Sequence, residues 1–131
     1  MLLHPTDLVD FGGKGKYSAP EFVSKDAIGL TAIKFLNSDK LGKGYENDLF
    51  VGNVHLGTIF HFDLNKNRTG LNLEDALKDK IADNIQETQN ITFAKGLGSI
   101  TDLKVGPDGY LYVLSNYKSK ASIFVIEPNV N

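Results

Sequence analysis

Three histidines, His4, His55 and His61, are the side chains of this chain best suited to carry a proton at neutral pH. His55 stands in a short loop with Asn53 and Gly57, where a protonated ring could bind an anion. His61 lies between Phe60 and Phe62, and strand alternation sends it to the face opposite both. No carboxylate is evidently placed to orient any of the three, and no serine occupies a G-x-S-x-G turn, so serine-histidine-acid chemistry has no support. A second pattern is built of oxygen. Asp63, Asn65, Asn67, Thr69 and Glu74 fall on positions 1, 3, 5, 7 and 12 of a calcium-binding loop. Arg68 takes the place where that loop needs glycine, and a strand rather than a helix precedes it, so the segment reads as a polar hairpin end and no metal is expected. Gly12-Gly13-Lys14-Gly15-Lys16 suggests a phosphate loop, yet neither a strand before it nor a helix after it completes that motif. Glycine here serves turns.

Composition narrows the classes further. The chain has 131 residues, 41% of them hydrophobic and 23% charged, which suits one globular domain with a core of its own. A net charge of -2 supplies no basic field for a phosphate backbone, so no nucleic acid is expected. No apolar run approaches the roughly 20 residues of a membrane-spanning helix, so no membrane partner is expected either. The start, MLLHPTDLVDF, lacks the charged and apolar regions of a secretory signal and leaves the compartment open. Zero cysteines exclude disulfides, thiol nucleophiles and thiolate zinc sites. Asn67-Arg68-Thr69 and Asn90-Ile91-Thr92 fit the glycan acceptor triplet, a common coincidence.

The elements that must position these residues are strands. Residues 1–29 read as a connector with a strand-like piece at Glu21-Phe22-Val23. From Leu30 the apolar period becomes two, through Ile33 and Phe35, then Leu49 and Val51, then Ile59, Phe60, Phe62 and Leu64. Leu73, Leu77 and Ile81 recur every four positions, with Asn72 as a cap and Glu74 one turn from Lys78, which predicts a short helix or a long loop over 74–99. Pro107-Asp108-Gly109 is a turn signal, because proline presets φ, aspartate bonds the backbone ahead of it and glycine accepts a positive φ. Residues 110–114 then form a strand, 119–122 a turn and 123–126 the last strand, before Pro128 stops pairing.

Two of these stretches are one unit repeated. LTAIKF…NDLFVGNVHLGTIFHFDLN lines up with ITDLKV…GYLYVLSNYKSKASIFVIEPN, placing Thr31 over Thr101, Lys34 over Lys104, Val51 over Val113, and Ile59-Phe60 over Ile123-Phe124. A repeated three-strand unit predicts successive blades of a β-propeller. The expected fold is therefore all-β: a partial propeller of about two four-stranded antiparallel blades, 30–73 and 100–131, with residues 1–29 or 85–95 supplying fourth strands.

The same residues carry a resemblance. From about Pro20 to Pro128, the ordered pieces PEFVSKDAIGLTAIKF, S-D-K-L-G-x-x-Y-x-N-D, D-L-N-K-N-R and P-D-G-Y-L-Y-V resemble the C-terminal blades of the glucose/sorbosone dehydrogenase family. Lactonase-like and NHL-type propellers carry blades similar to the last piece. The resemblance implies a six-bladed propeller that oxidises aldose sugars with pyrroloquinoline quinone and calcium. It places cofactor-binding positions at His55, where the family has lysine, and at Ser99 and Thr101, where it has arginines. Three cations are replaced, each able to form charge-assisted bonds worth about 1.5–3 kcal/mol. The family's catalytic histidine and calcium ligands belong to preceding blades, and neither His4 nor His61 matches them.

Two blades do not close a ring that takes roughly 4–8 of them. Each open apolar face drives association, so the expected partner is a second copy of the chain, most simply in a trimer that completes six blades. The expected function is a non-catalytic binding or structural module with no cofactor of its own, with a sugar as a possible ligand. A quinone-dependent oxidoreductase in an assembled propeller is the alternative, followed by a lactonase-like or NHL-like propeller.

Overall fold

The computed structural model of the chain describes residues 12–15 and 17–129. His4 and the MLLHPTDLVDF start lie outside the described residues. The strands are β1 (Val23–Ser24), β2 (Leu30–Phe35), β3 (Leu49–Asn53), β4 (Ile59–Phe62), β5 (Ile81–Ala82), β6 (Thr92–Ala94), β7 (Ser99–Val105), β8 (Leu111–Tyr117) and β9 (Lys120–Ile126). They form an antiparallel four-stranded sheet, β2-β3-β4-β6, and an antiparallel three-stranded sheet, β7-β8-β9, while β1 and β5 pair in parallel. The fold is all-β and propeller-like, without barrel closure. No helix among the described residues is long and apolar enough to cross a membrane.

The repeat read in the sequence is a repeat in register. In the first sheet Ile33 pairs with Val51 and Val51 with Phe60. In the second, Leu103 pairs with Val113 and Val113 with Phe124, which are the same three positions of the unit. Each first strand shifts register at one place, between Leu30 and Ala32 and between Ile100 and Asp102, so Thr31 and Thr101 occupy equivalent bulges. Their hydroxyls reach equivalent carbonyls of the next strand, Thr31 to Gly52 at 3.5 Å and Thr101 to Leu114 at 3.3 Å.

The two sheets stack face to face. Ala32, Phe50 and Ile59 of the first bury against Ile100, Leu103, Leu111 and Val113 of the second. Each fully buried large side chain contributes about 1.5–3 kcal/mol. Gly52 makes the close approach possible, since a Cβ there would sit 2.5 Å from Ile100 Cγ2. The Thr31 hydroxyl also donates to the Ile100 carbonyl at 2.6 Å, a hydrogen bond between the sheets. The outer side of the first sheet, with Leu49, Val51, Phe60 and Phe62, is partly covered by Phe22, Leu71, Leu73 and Ile85. Ile33 on that side stays 67% exposed, and Ile123 on the outer side of the second sheet 70%.

Two expectations are corrected, and the 74–99 excursion takes its long-loop form, with two 3₁₀ segments, Asp75–Asp79 and Ile85–Ile91, and no α-helix. Left-handed φ values at Asp75 (50°) and Lys80 (69°) break any longer helix, and the Asn72 amide donates to Asp63 at 2.6 Å instead of capping. The last hairpin turns at Lys118 and Ser119, with φ 49° and 61°, because Tyr117 already pairs with Lys120. The second sheet shows three strands among the described residues, whereas β6 from the 85–95 stretch completes four in the first.

The Pro107-Asp108-Gly109 turn has the expected geometry. The Tyr110 amide donates to Asp108 Oδ1 at 3.1 Å, and Gly109 takes φ 86°. The Tyr112 hydroxyl donates to Asp108 Oδ2 at 2.7 Å. That bond, with the Tyr110 amide behind it, holds the Asp108 carboxyl below its usual range, and the same bond pushes the Tyr112 phenol up. The lowered carboxyl favours the folded state above the ordinary carboxylate range of about 4, and this is lost as pH falls through the folded value. The raised phenol contributes below about 10, and this is lost as pH rises through its folded value. Tyr112→Phe is expected to move the Asp108 titration upward in a carboxyl-resolved NMR experiment.

Candidate functional site

The turn from β3 to β4 is fixed by a buried amide. Asn53 is fully buried, accepts from the Leu56 amide at 2.9 Å through Oδ1, and donates through Nδ2 to the Thr58 carbonyl at 3.1 Å. Residues ahead of β2 strap this turn from the side, since the Val54 amide donates to the Gly29 carbonyl at 2.9 Å. His55 is exposed, and its Nδ1 lies 2.6 Å from the Ala27 carbonyl. A carbonyl only accepts, so Nδ1 carries the proton and Nε2 is the atom left for a ligand.

Ser99 and Thr101 reach this end of the molecule through two glycines. Gly57 (φ 62°) and Gly98 (φ 75°) touch backbone to backbone, and a Cβ on Gly57 would lie 2.7 Å from the Gly98 carbonyl. The Leu97 amide donates to the Gly57 carbonyl at 3.0 Å. Ser99, half-buried, therefore begins β7 beside the His55 turn. Thr101 lies on the β7 bulge with its hydroxyl turned to its own sheet. Ser115, the repeat's counterpart of Asn53, is likewise buried and donates to the Leu97 carbonyl.

The same turn borders a groove of about 920 Å³ that sequence reasoning did not anticipate. Thr58, Gln86, Gln89 and Thr92 offer hydroxyls and amides, Phe93 an aromatic wall, and Lys95 the single charge of the lining. Gln86 and Gln89 belong to the 3₁₀ segment Ile85–Ile91, and Lys95 directly follows β6. The only signal in the sequence was that 85–95 is one of the two stretches that could supply a fourth strand, which brings its flanking polar residues alongside Thr58.

His61 requires a correction, because it does have a carboxylate partner. His61 Nε2 lies 2.8 Å from Asp48 Oδ2, a half-buried ring against a buried acid. Asp48 stands one strand position ahead of β3, diagonal to His61, since Phe50 is paired directly with His61. Tyr45 and Phe50 wall the ring at 5.0 and 5.2 Å between centroids. The pair ties the hairpin to the aromatic part of the core.

The oxygens of the 63–74 segment serve its own hairpin. Asn65 Oδ1 accepts from the Thr69 amide at 2.9 Å, and Asp63 Oδ2 from Asn72. Leu64 bridges Leu71 across it, and Arg68 takes φ 55° while donating to the Asn47 carbonyl. Among the described residues no group of three or more His, Asp or Glu side chains could hold a metal ion.

These residues do not fit a polycarboxylate cofactor such as the resemblance implies. His55 is tied to Ala27 and Thr101 to Leu114, and the groove beside them brings a single cation, Lys95. No protein-family model matches the chain, and no curated protein matches it in sequence. A solved structure described as a glucose dehydrogenase resembles it in three dimensions, with a TM-score of 0.54 and 18% sequence identity over 77% of this chain. The chain spans 26% of that protein's length, and the likeness is one of fold: stacked antiparallel sheets in a propeller-like arrangement.

Proposed function

We propose that the chain is a non-catalytic, two-blade propeller module of the quinoprotein sugar dehydrogenase type, whose surfaces bind rather than react. One observation carries the reading. At the three positions where the resemblance expects cofactor cations, the chain has His55, Ser99 and Thr101, and two of these side chains hydrogen-bond carbonyls of the chain itself. Each lost charge-assisted bond weakens quinone binding by about 1.5–3 kcal/mol, so three together reduce affinity by several orders of magnitude.

Titration of the protein with pyrroloquinoline quinone and calcium tests this, followed by quinone absorbance and a dye-linked aldose assay. No saturable uptake and no aldose oxidation are expected. Stoichiometric uptake with sugar-dependent dye reduction would overturn the reading in favour of an oxidoreductase. That second reading is favoured by the glucose dehydrogenase among the structural neighbours and by Lys95 beside the His55 turn.

A further inference from the structure

The two open faces of the molecule are the two halves of an interface it already contains. The row Leu103, Val113 and Phe124 of the second sheet faces the first sheet. Its counterpart in the first sheet is Ile33, Val51 and Phe60 on the outer side, where Phe22, Leu71 and Leu73 cover Val51 and Phe60 while Leu30, Ile33 and Phe35 of β2 remain exposed beside an apolar groove. On the other side of each blade, Ala32, Gly52 and Ile59 of the first sheet are covered by the second. Their counterparts, Asp102, Leu114 and Ile123, form an outward row in which Leu114 and Ile123 are exposed, with Val125 exposed next to it. One molecule thus leaves open, along β2 and along the outer side of β8 and β9, copies of the strand surfaces that meet in its own inter-blade joint.

We infer that the outer face of β7-β8-β9 docks on the exposed outer side of β2 in a second copy of this chain, in the manner of the joint between the blades, and closes a ring. The inference rests on the two-blade module proposed above. Within the chain the Thr31 hydroxyl donates to the Ile100 carbonyl across the joint. Between copies Leu114 takes the place of Gly52 and meets Leu30, an apolar pair where the internal joint has a glycine and Ile100. Such a contact is heterologous, so each copy uses both faces, and rings of about two to four copies satisfy the blade numbers of propellers. Three copies match the six blades of the resemblance.

Sedimentation velocity on the full chain and on Ile33→Asp and Ile123→Asp tests the docking. Both isoleucines are largely exposed, so neither change removes core packing, and circular dichroism confirms the fold of each variant. The wild type is expected as a discrete species of two to four copies, and each variant alone as a monomer. Mixed in equal amounts, the variants are expected to form a one-to-one dimer, because Ile33→Asp keeps the β9 face and Ile123→Asp keeps the β2 face. A wild type monomeric at every concentration, as it would be if chains of another sequence cover these faces, overturns the inference. So does open-ended polymerisation, or variants that assemble unmixed through like faces. None of these outcomes bears on quinone uptake, so a failure here and a failure of the non-catalytic reading are separate results.

Discussion

Phe50→Ala is expected to lower the unfolding free energy by about 3–5 kcal/mol, the range for truncating a fully buried phenylalanine. Phe50 is fully buried in the layer between the two sheets, with Tyr45, Phe93 and His61 rings 6.2, 5.1 and 5.2 Å away by centroid. Removing the ring deletes its own burial and leaves a cavity that three other rings line without being able to collapse into it. The joint between blades weakens as a whole, since the same layer holds Ile59, Ile100 and Leu103. A domain of this size has about 5–15 kcal/mol in total, so the variant is expected to stand close to unfolding at room temperature. Urea denaturation followed by tyrosine fluorescence measures it, and a loss below about 1 kcal/mol contradicts a packed inter-sheet layer.

Gly98→Ala is expected to cost about 2–5 kcal/mol, from two separable causes. Gly98 has φ 75°, and a Cβ there would lie 2.4 Å from the Asn116 carbonyl oxygen, backbone that cannot step aside. Gly96, two residues earlier, has φ 79° with nothing within 4 Å of an added Cβ. Gly96→Ala therefore carries only the left-handed strain, about 1–2 kcal/mol, and the difference between the variants reads the clash alone. The same segment packs against the β3–β4 turn that carries His55. If Gly98 is displaced, the turn that carries Gly57 and His55 moves with it. Equal melting temperatures for the two variants would contradict the backbone packing that joins the blades there.

The repeat was readable because a strand writes its burial into every second residue. Aligning Val51 with Val113 and Phe60 with Phe124 already implied the register, and the cross-strand pairs follow it through both sheets. Register also held the His61–Asp48 pair in view: with Phe50 opposite His61, a side chain two positions before Phe50 lies diagonal to the ring. The excursion was harder to read. Leu73 and Leu77 share a helical spacing, but Leu73 packs on the first sheet and Leu77 is buried in the 3₁₀ segment itself, and the left-handed residues Asp75 and Lys80 carry no distinctive sequence signal. The groove was legible only through the strand expected at 85–95, since it exists once β6 pairs with β4 and brings Gln86, Gln89 and Lys95 beside Thr58. Cofactor chemistry inferred from resemblance has the opposite weakness: it names positions but not the carbonyls, Ala27 and Leu114, that engage the side chains found there.

The account depends on two equivalent blades stacked face to face with Gly52 opened to Ile100. A nuclear Overhauser experiment on methyl-labelled protein tests that contact directly. Strong cross-peaks between the Gly52 α protons and the Ile100 methyl groups are expected, together with matched cross-strand sets for Ile33, Val51 and Phe60 and for Leu103, Val113 and Phe124. Absence of the Gly52–Ile100 peaks, with amide contacts running continuously from β6 into β7, would instead make the two sheets one barrel wall and contradict the stacked pair.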